Sequence, residues 1–318
     1  MIVRPDPDAL MAGELGQWLA SQGEARDEAK RVARKRLRMG LAAAAGVFLV
    51  ALLLSGGDLG DAMWFGGAAA AGAFAWSEMA KRQVVEKIKG GINDAIARAL
   101  EMEYSAAAEP GEEFARARQF QLLPGYDNRS CEDLWRGAVG DRTFQLYEAH
   151  LTEERNSGKN RRTVTTFRGS IICIGFARRF QGITLVERER TRRSWFGLGA
   201  DKTEIRFGGI ALQRCDMVDP KFEAEFTVWS NDPVEARYLV HPEYVERLIA
   251  VEQAYAGQNI RALFDGGTLM LVLESGNLFE SGSIEASDDR RLLEQAIAQF
   301  GSLADLAAQL NERSRGNY

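Results

Sequence analysis

Two runs of apolar residues, separated by a few polar ones, restrict what this chain can fold into more than any other feature. MGLAAAAGVFLVALLL (39–54) has no charged residue and is extended by Ser55, Gly56 and Gly57; AMWFGGAAAAGAFAWS (62–77) is the second run, ended by Glu78 and Lys81. As helices of 16–18 residues they reach ~24–27 Å, slightly short of the ~30 Å hydrocarbon core of a bilayer. Arg38, Lys81 and Arg82 extend that reach, because their stems lie along lipid while their charges stay at the interface. A helix of a soluble protein keeps a polar stripe, and neither run has one. The first run is also too long, begins too late and is followed too directly by a second to be a cleaved signal peptide. The expectation is a transmembrane hairpin over 39–77, with spans 39–57 and 62–79.

DLGDA between the runs is too short to cross anything, so the spans must form a tight pair. Small residues at helical spacing, Ala42 with Gly46 and Ala68 with Gly72, would let the backbones approach. Trp64 and Trp76 sit near the ends of the second run, where amphipathic rings favour the interface. Residues 26–38, RDEAKRVARKRLR, carry seven basic and two acidic side chains, and Lys81, Arg82, Lys87 and Lys89 follow the second run. The connecting loop has no basic residue. By the positive-inside rule both termini are cytoplasmic, the Ser55–Asp61 loop faces outward, and the protein is a multi-pass protein of the inner (plasma) membrane.

The net charge of −5 argues against a dedicated nucleic-acid binder. Cys131, Cys173 and Cys215 are too few and too scattered for a disulfide framework or a zinc knuckle, and read as reduced thiols. DALMAGELGQWLASQ (8–22) places Met11, Leu15, Trp18 and Leu19 on one helical face, suited either to the inner leaflet or to the protein's own body. Residues 1–38 are thus a cytosolic helix and basic segment. Residues 78–104 read as a helix continuing inward, weakened at Gly90-Gly91, and AAAEPGEE (106–113) as a joint. The membrane-proximal part spans 78–111.

From 112 to 318 the pattern changes to strands. TFQLYEAHL (143–151), TVTTFRGSIICIGFA (163–177), GITLVERE (182–189), IALQRCDMV (210–218) and FTVWS (226–230) are rich in β-branched and aromatic residues. IRALFDGGTLMLVLE (260–274) is a hairpin signal turning at Asp265-Gly266-Gly267. Asp232 is a good N-cap, with Pro233 at the first helical position and Glu235 three after the cap. Pro242 should end that short helix with a bend at His241, before a second helix to Tyr255 striped by Tyr244, Leu248, Val251 and Tyr255. A last helix starts near Ser287 and presents Leu293, Ile297, Phe300, Ala307 and Leu310. The fold class is α+β: a cytosolic domain with an antiparallel sheet and late inserted and C-terminal helices, behind a two-span helical hairpin.

Chemistry is scarce. The two histidines, His150 and His241, have no second nitrogen or sulfur ligand at metal spacing, so no metal and no cofactor is expected. GLGADKT (197–203) fails as a phosphate loop, because Asp201 stands where a glycine must precede the lysine. Capping accounts for Asp232 and Glu235. Glu132 and Asp133, in SCEDLWRG, have no such clear duty; a turn or helix cap is the plainer reading, and acid–base work with Arg136 the bolder one. In RERTRRSWFGLG (188–199) arginines lead into Trp195 and Phe196, so Arg192, Arg193, Trp195 and Phe196 suit contact with an anionic membrane surface.

The segments CEDLWRGAVGDRTFQLYEAHL, TFRGSIICIGFARRFQGITLV, FTVWSNDPVEARYLVHPEYVERL and IRALFDGGTLMLVLESGNLFE, in that order, resemble the bacterial domain-of-unknown-function 3137 family. The resemblance covers roughly residues 110–285 and is most specific from Phe226 to Leu239. It departs from the family's pattern in a short, arginine-rich 187–202 loop and an aromatic-poor start. It implies membrane segments near the N-terminus and a cytosolic domain, and no reaction, ligand or catalytic residue. The expected function is an integral inner-membrane protein with a non-catalytic binding or scaffolding domain, whose partners are the lipid bilayer and an unidentified protein or ligand. The alternative is a membrane-tethered hydrolase acting through Glu132, Asp133 and Arg136.

Overall fold

The computed structural model describes residues 4–140, 142–157, 160–176, 179–189, 203–217, 220–255 and 257–312. The chain forms two compact units, one built on Ile96–Phe279 and the stretch from Ala296, the other on Asp6–Ala95 with Glu280–Gln295.

The second unit is helical. Asp6 caps α1 (Pro7–Ala12), its side chain accepting the Asp8 N–H, and Gly13 separates it from α2 (Glu14–Ser21). One expected helix is therefore two. Leu15 and Leu19 are buried, and a Cβ on Gly91 would lie 2.2 Å from the Trp18 ring, so Trp18 packs on the protein's own body. α3 (Gly23–Leu54) runs unbroken from the basic segment through the first apolar run, and α4 (Leu59–Ala99) carries the second. Gly90-Gly91 does not break α4; Gly91 supplies the flat surface that the Trp18 ring needs.

The two long helices approach through small residues other than those expected. A Cβ on Gly40 would meet the Ala73 Cβ at 2.4 Å, and one on Gly66 would meet Phe48 at 3.0 Å, whereas Gly46 and Gly72 have nothing within 4 Å. Near the start of α3 the buried Arg26 makes a two-pronged ion pair with Asp289 at 2.9 and 2.6 Å. Among the described residues one helical stretch, Glu14–Leu54, is long and apolar enough to cross a membrane, and 6% of its most apolar window is buried. The second run does not qualify, because alanine and glycine remove little surface from water compared with leucine, valine or phenylalanine. It still shares the exposure of the first: among the described residues, fourteen of the sixteen large apolar side chains that stand exposed lie between Met39 and Met79.

The first unit is α+β, organised on a ten-stranded antiparallel sheet. Its strands are β1 (Glu103–Ala107), β2 (Asn128–Val139), β3 (Arg142–Ser157), β4 (Asn160–Gly175), β5 (Thr184–Arg188), β6 (Glu204–Phe207), β7 (Ile210–Cys215), β8 (Phe226–Ser230), β9 (Gln258–Asp265) and β10 (Thr268–Glu274), in spatial order β1-β2-β3-β4-β10-β9-β5-β8-β7-β6. The β9–β10 hairpin turns at Gly266 and Gly267, both at positive φ, as the Asp-Gly-Gly signal requires. Three corrections to the sequence reading stand out. The stretch expected to continue as helix to 104 ends at Ala99 and becomes β1, paired to β2, so the sheet begins before residue 112. SCEDLWRG lies within β2, not in a turn or helix cap. And β6 was not anticipated, nor were α5 (Glu112–Gln119) and α6 (Pro220–Glu225).

Both faces of the sheet are covered. On one, α5 and the turn after it bury Phe114, Ala117, Phe120 and Leu122 with Tyr147, Leu151, Phe167, Leu263 and Trp229. On the other lie Trp135, Phe144 and Phe264, met by Phe279, by Phe300 and by Tyr244. The last two come from α9 (Asp289–Glu312) and α8 (Pro242–Ala254) respectively. α7 (Pro233–Leu239) precedes α8, with Asp232 as its N-cap and His241 as that of α8, so the proline-directed bend falls where expected. The Tyr244, Leu248, Val251 and Tyr255 stripe is buried throughout. Glu235 carries its carboxylate to the backbone N–H groups of Gln181 and Gly182, and the Asp232 N–H donates to Ser230 Oγ.

Cys131, Cys173 and Cys215 are free thiols. Burial pushes Cys131 up to about 11, opposed by Arg129 and helped by Glu113; burial, then Glu113, pushes Cys173 up to about 12. The thiolate is the reacting form, so at pH 8 iodoacetamide should modify the native chain slowly, Cys173 more slowly than Cys131. Peptide mapping should show both reacting fast in denaturant. Gly169 fits β4 against β10 with no room to spare, since a Cβ there would lie 1.9 Å from the Leu273 carbonyl oxygen. Gly169→Ala should lower unfolding stability by roughly 1–3 kcal/mol, as overpacking does, measured by chemical denaturation of the full chain in detergent.

Candidate functional site

Acidic residues sit poorly on a buried sheet face, and this sheet holds three of them together. Glu132 on β2 pairs directly with Glu148 on β3, which pairs with Ser170 on β4, so the three side chains form one row across the same face. The next row towards the covered part of the face is Trp135, Leu146, Ile172 and Leu271, all buried. The row on the other side is Ser130, His150 and Arg168, which are exposed or partly so. The carboxylates therefore lie where the face passes from core to solvent.

Regular alternation would turn Asp133 to the opposite face from Glu132. A bulge prevents it: between the Glu132–Glu148 and Trp135–Leu146 pairs, Asp133 and Leu134 oppose Tyr147 alone. Asp133 takes up the irregularity at φ 54°, a conformation that aspartate tolerates better than most residues. As a result one carboxylate oxygen from each of Glu132, Asp133 and Glu148 lies within 4.8 Å of the others, with Asp133 and Glu148 buried and Glu132 partly exposed. Carboxylates crowded this closely repel one another when ionised. Such a grouping favours whatever supplies positive charge.

Hydrogen bonds from neighbouring elements help to hold the group in place. Tyr104 on β1 donates its hydroxyl to Asp133 Oδ1 at 2.6 Å, and the Leu278 backbone N–H donates to Glu148 Oε1 at 2.7 Å. The Tyr104 ring meets Trp135 edge-on at 5.1 Å, and Trp135 packs on Phe279 and Phe300, so the polar row rests against an aromatic wall. Ser170 is fully buried, and its Oγ makes no hydrogen bond among the described residues.

Of the residues singled out in the sequence, Glu132 and Asp133 come together. Arg136 does not join them: it is exposed, opposite Gln145 and Glu103, on the face away from Trp135. A hydrolase built on Glu132, Asp133 and Arg136 would not have its three groups in one place. Arg192, Arg193, Trp195 and Phe196, with GLGAD of the rejected phosphate loop, lie outside the described residues. The sequence reading missed Glu148 and Ser170. Neither belongs to a motif, and only strand register places them beside Glu132; the hint was a glutamate at the centre of an otherwise apolar strand, QLYEAHL. Elsewhere on this unit an open groove of about 630 Å³ is lined by residues that include Arg118, Glu153, Arg155 and Thr165. Arg155 is already engaged by Glu153 and Arg118 by the Pro124 carbonyl.

Residues 165–312 match the family described as "Protein of unknown function (DUF3137)", which bears out over that segment the family expected from the sequence. No curated protein matches the chain. A solved structure, "crystal structure of the mycobacterial trehalose monomycolate transport factor A, TtfA", is similar at 8% identity, over 70% of this chain and 96% of that one, with a TM-score of 0.33. That likeness is too weak to carry fold or function.

Proposed function

We propose that this is an integral protein of the bacterial inner membrane, anchored by a two-span hairpin, with both termini and the sheet domain in the cytoplasm. The domain binds or organises a protein partner or ligand and is not itself catalytic. The observation that carries the reading is the band of exposed apolar side chains between Met39 and Met79, which includes Leu53, Leu54, Met63 and Trp64 and spans both runs. Water would penalise such a band, whereas lipid would cover it. The basic segment supports the orientation. A groove of about 580 Å³ at its side is lined by Asp27, Lys30, Arg31, Arg34, Lys35 and Arg38, with Met39 at the start of the apolar run. Arg36 lies over the Trp76 ring at 5.4 Å, a pairing suited to the headgroup level. A periplasm-dependent reporter inserted at Gly57 should be active, and the same reporter fused after Tyr318 inactive. The opposite pattern would overturn the orientation.

The segment holding Arg192, Arg193, Trp195 and Phe196 is a second contact with the membrane in this reading, supported by its pairing of cations with aromatic residues. In vesicles containing anionic lipid, trypsin should cut the reconstituted chain after Arg192 and Arg193 more slowly than in neutral vesicles. Equal rates would remove this contact from the proposal.

A further inference from the structure

The carboxylates of Glu132, Asp133 and Glu148, brought together by the bulge, have the dimensions of an ion site, and Ser170 stands beside Glu148 in the same row. Same-face partners on adjacent antiparallel strands hold their Cβ atoms about 4.5–5.5 Å apart. Oxygen ligands lie ~2.3–2.6 Å from a calcium-sized cation, so ligands on opposite sides of one ion are at most ~4.6–5.2 Å apart. The three carboxylates, with an oxygen each inside 4.8 Å, fit within that limit. Ser170 gives an independent sign. Its hydroxyl is completely buried, makes no hydrogen bond among the described residues, and faces the same side as Glu148, directly across from it. A buried hydroxyl in that state bears its full desolvation cost unless something accepts or ligates its oxygen.

We propose that Glu132, Asp133 and Glu148, with the Ser170 hydroxyl, bind a hard divalent cation of the calcium class. The set is all oxygen, with no thiolate or imidazole, which selects calcium, magnesium or manganese over zinc or copper. Tyr104 and the Leu278 N–H orient Asp133 and Glu148 from outside, as supporting hydrogen bonds do around bound ions. The partly exposed Glu132 gives the ion its way in and leaves room for water to complete the coordination. The ion ties β2, β3 and β4 together at the bulge, where ladder hydrogen bonding is interrupted. This site lies wholly within the sheet unit and does not depend on the membrane reading.

The test uses the full chain in detergent, stripped with chelator, and terbium as the probe. Terbium bound here should luminesce on tryptophan excitation, because Trp135 packs on Tyr104, whose hydroxyl holds Asp133. The signal should saturate and be displaced by calcium, and calcium should raise the melting temperature. Glu148→Gln should weaken terbium binding by about tenfold or more, and Ser170→Ala should weaken it less but measurably, with unchanged far-UV circular dichroism. If Glu148→Gln does not fold, Glu132→Gln, at the partly exposed position, gives the same readout. Three results would overturn the proposal. One is no saturable signal and no melting shift at millimolar calcium, magnesium or manganese. Another is binding that survives the glutamine variants unchanged, which puts the ion elsewhere. The third is stability that rises on acidification with no dependence on cation, which means that shared protons neutralise the group. Unchanged binding in Ser170→Ala would remove the hydroxyl from the ligand set.

Discussion

The sheet unit depends on one constraint: a single antiparallel ladder of ten strands must have both of its faces taken out of water. An antiparallel sheet with one solvated face alternates apolar and polar residues, but the middle strands here do not. β10 buries five consecutive residues, Leu269 to Leu273, and β5 buries four, Thr184 to Glu187. Such strands are stable only between two layers. α5 and its following turn supply one, and Phe279 with α8 and α9 supply the other. Removing either layer would expose apolar side chains from four or more strands at once, so the helices are part of the sheet's stability and not additions to it.

That constraint gives the carboxylate row its significance. A buried charge is costly unless it is compensated, and a sheet face closed by aromatic rings is an unfavourable place to collect carboxylates, two of them buried. The bulge in β2 adds to the cost, since it gives up regular ladder bonds and holds Asp133 at positive φ. The fold nevertheless concentrates the group at the rim of the face, one row from Trp135 and one row from the partly exposed His150. Bulges often re-aim a side chain beside a functional site. The cation proposed above would offset the repulsion and the lost ladder bonds together.

The helical unit is governed by distance of approach instead. Gly40 against Ala73 and Gly66 against Phe48 bring the backbones of α3 and α4 together along runs that present leucine, valine and phenylalanine outward. A deeply buried ion pair, Arg26 with Asp289, joins residues 263 apart in sequence. Desolvating both charges offsets much of their attraction, so the pair fixes geometry more than it adds stability; removing one partner would leave the other buried and unpaired.

Local chemistry determined a good deal from the sequence alone. The apolar runs, the Asp-Gly-Gly hairpin, the Asp232 cap, the proline bend at His241 and the Tyr244–Tyr255 stripe each depend on residues a few positions apart, and each is legible as spacing. The likeness to the DUF3137 family over residues 165–312, too, was legible in the order of its segments. Long-range register was not. β1 lies in a stretch, EYSAA, whose own pattern is weak, and it becomes a strand because β2 offers it an edge. Arg136 looked like a partner of Glu132 and Asp133 because it is near in sequence, but strand alternation puts it on the other face. Glu148 and Ser170 looked unrelated to them, yet pairing across three strands makes them neighbours. Proximity along the chain and proximity across a sheet are set by different forces, backbone geometry in one case and the burial of a shared face in the other. Only the folded ladder decides which side chains meet.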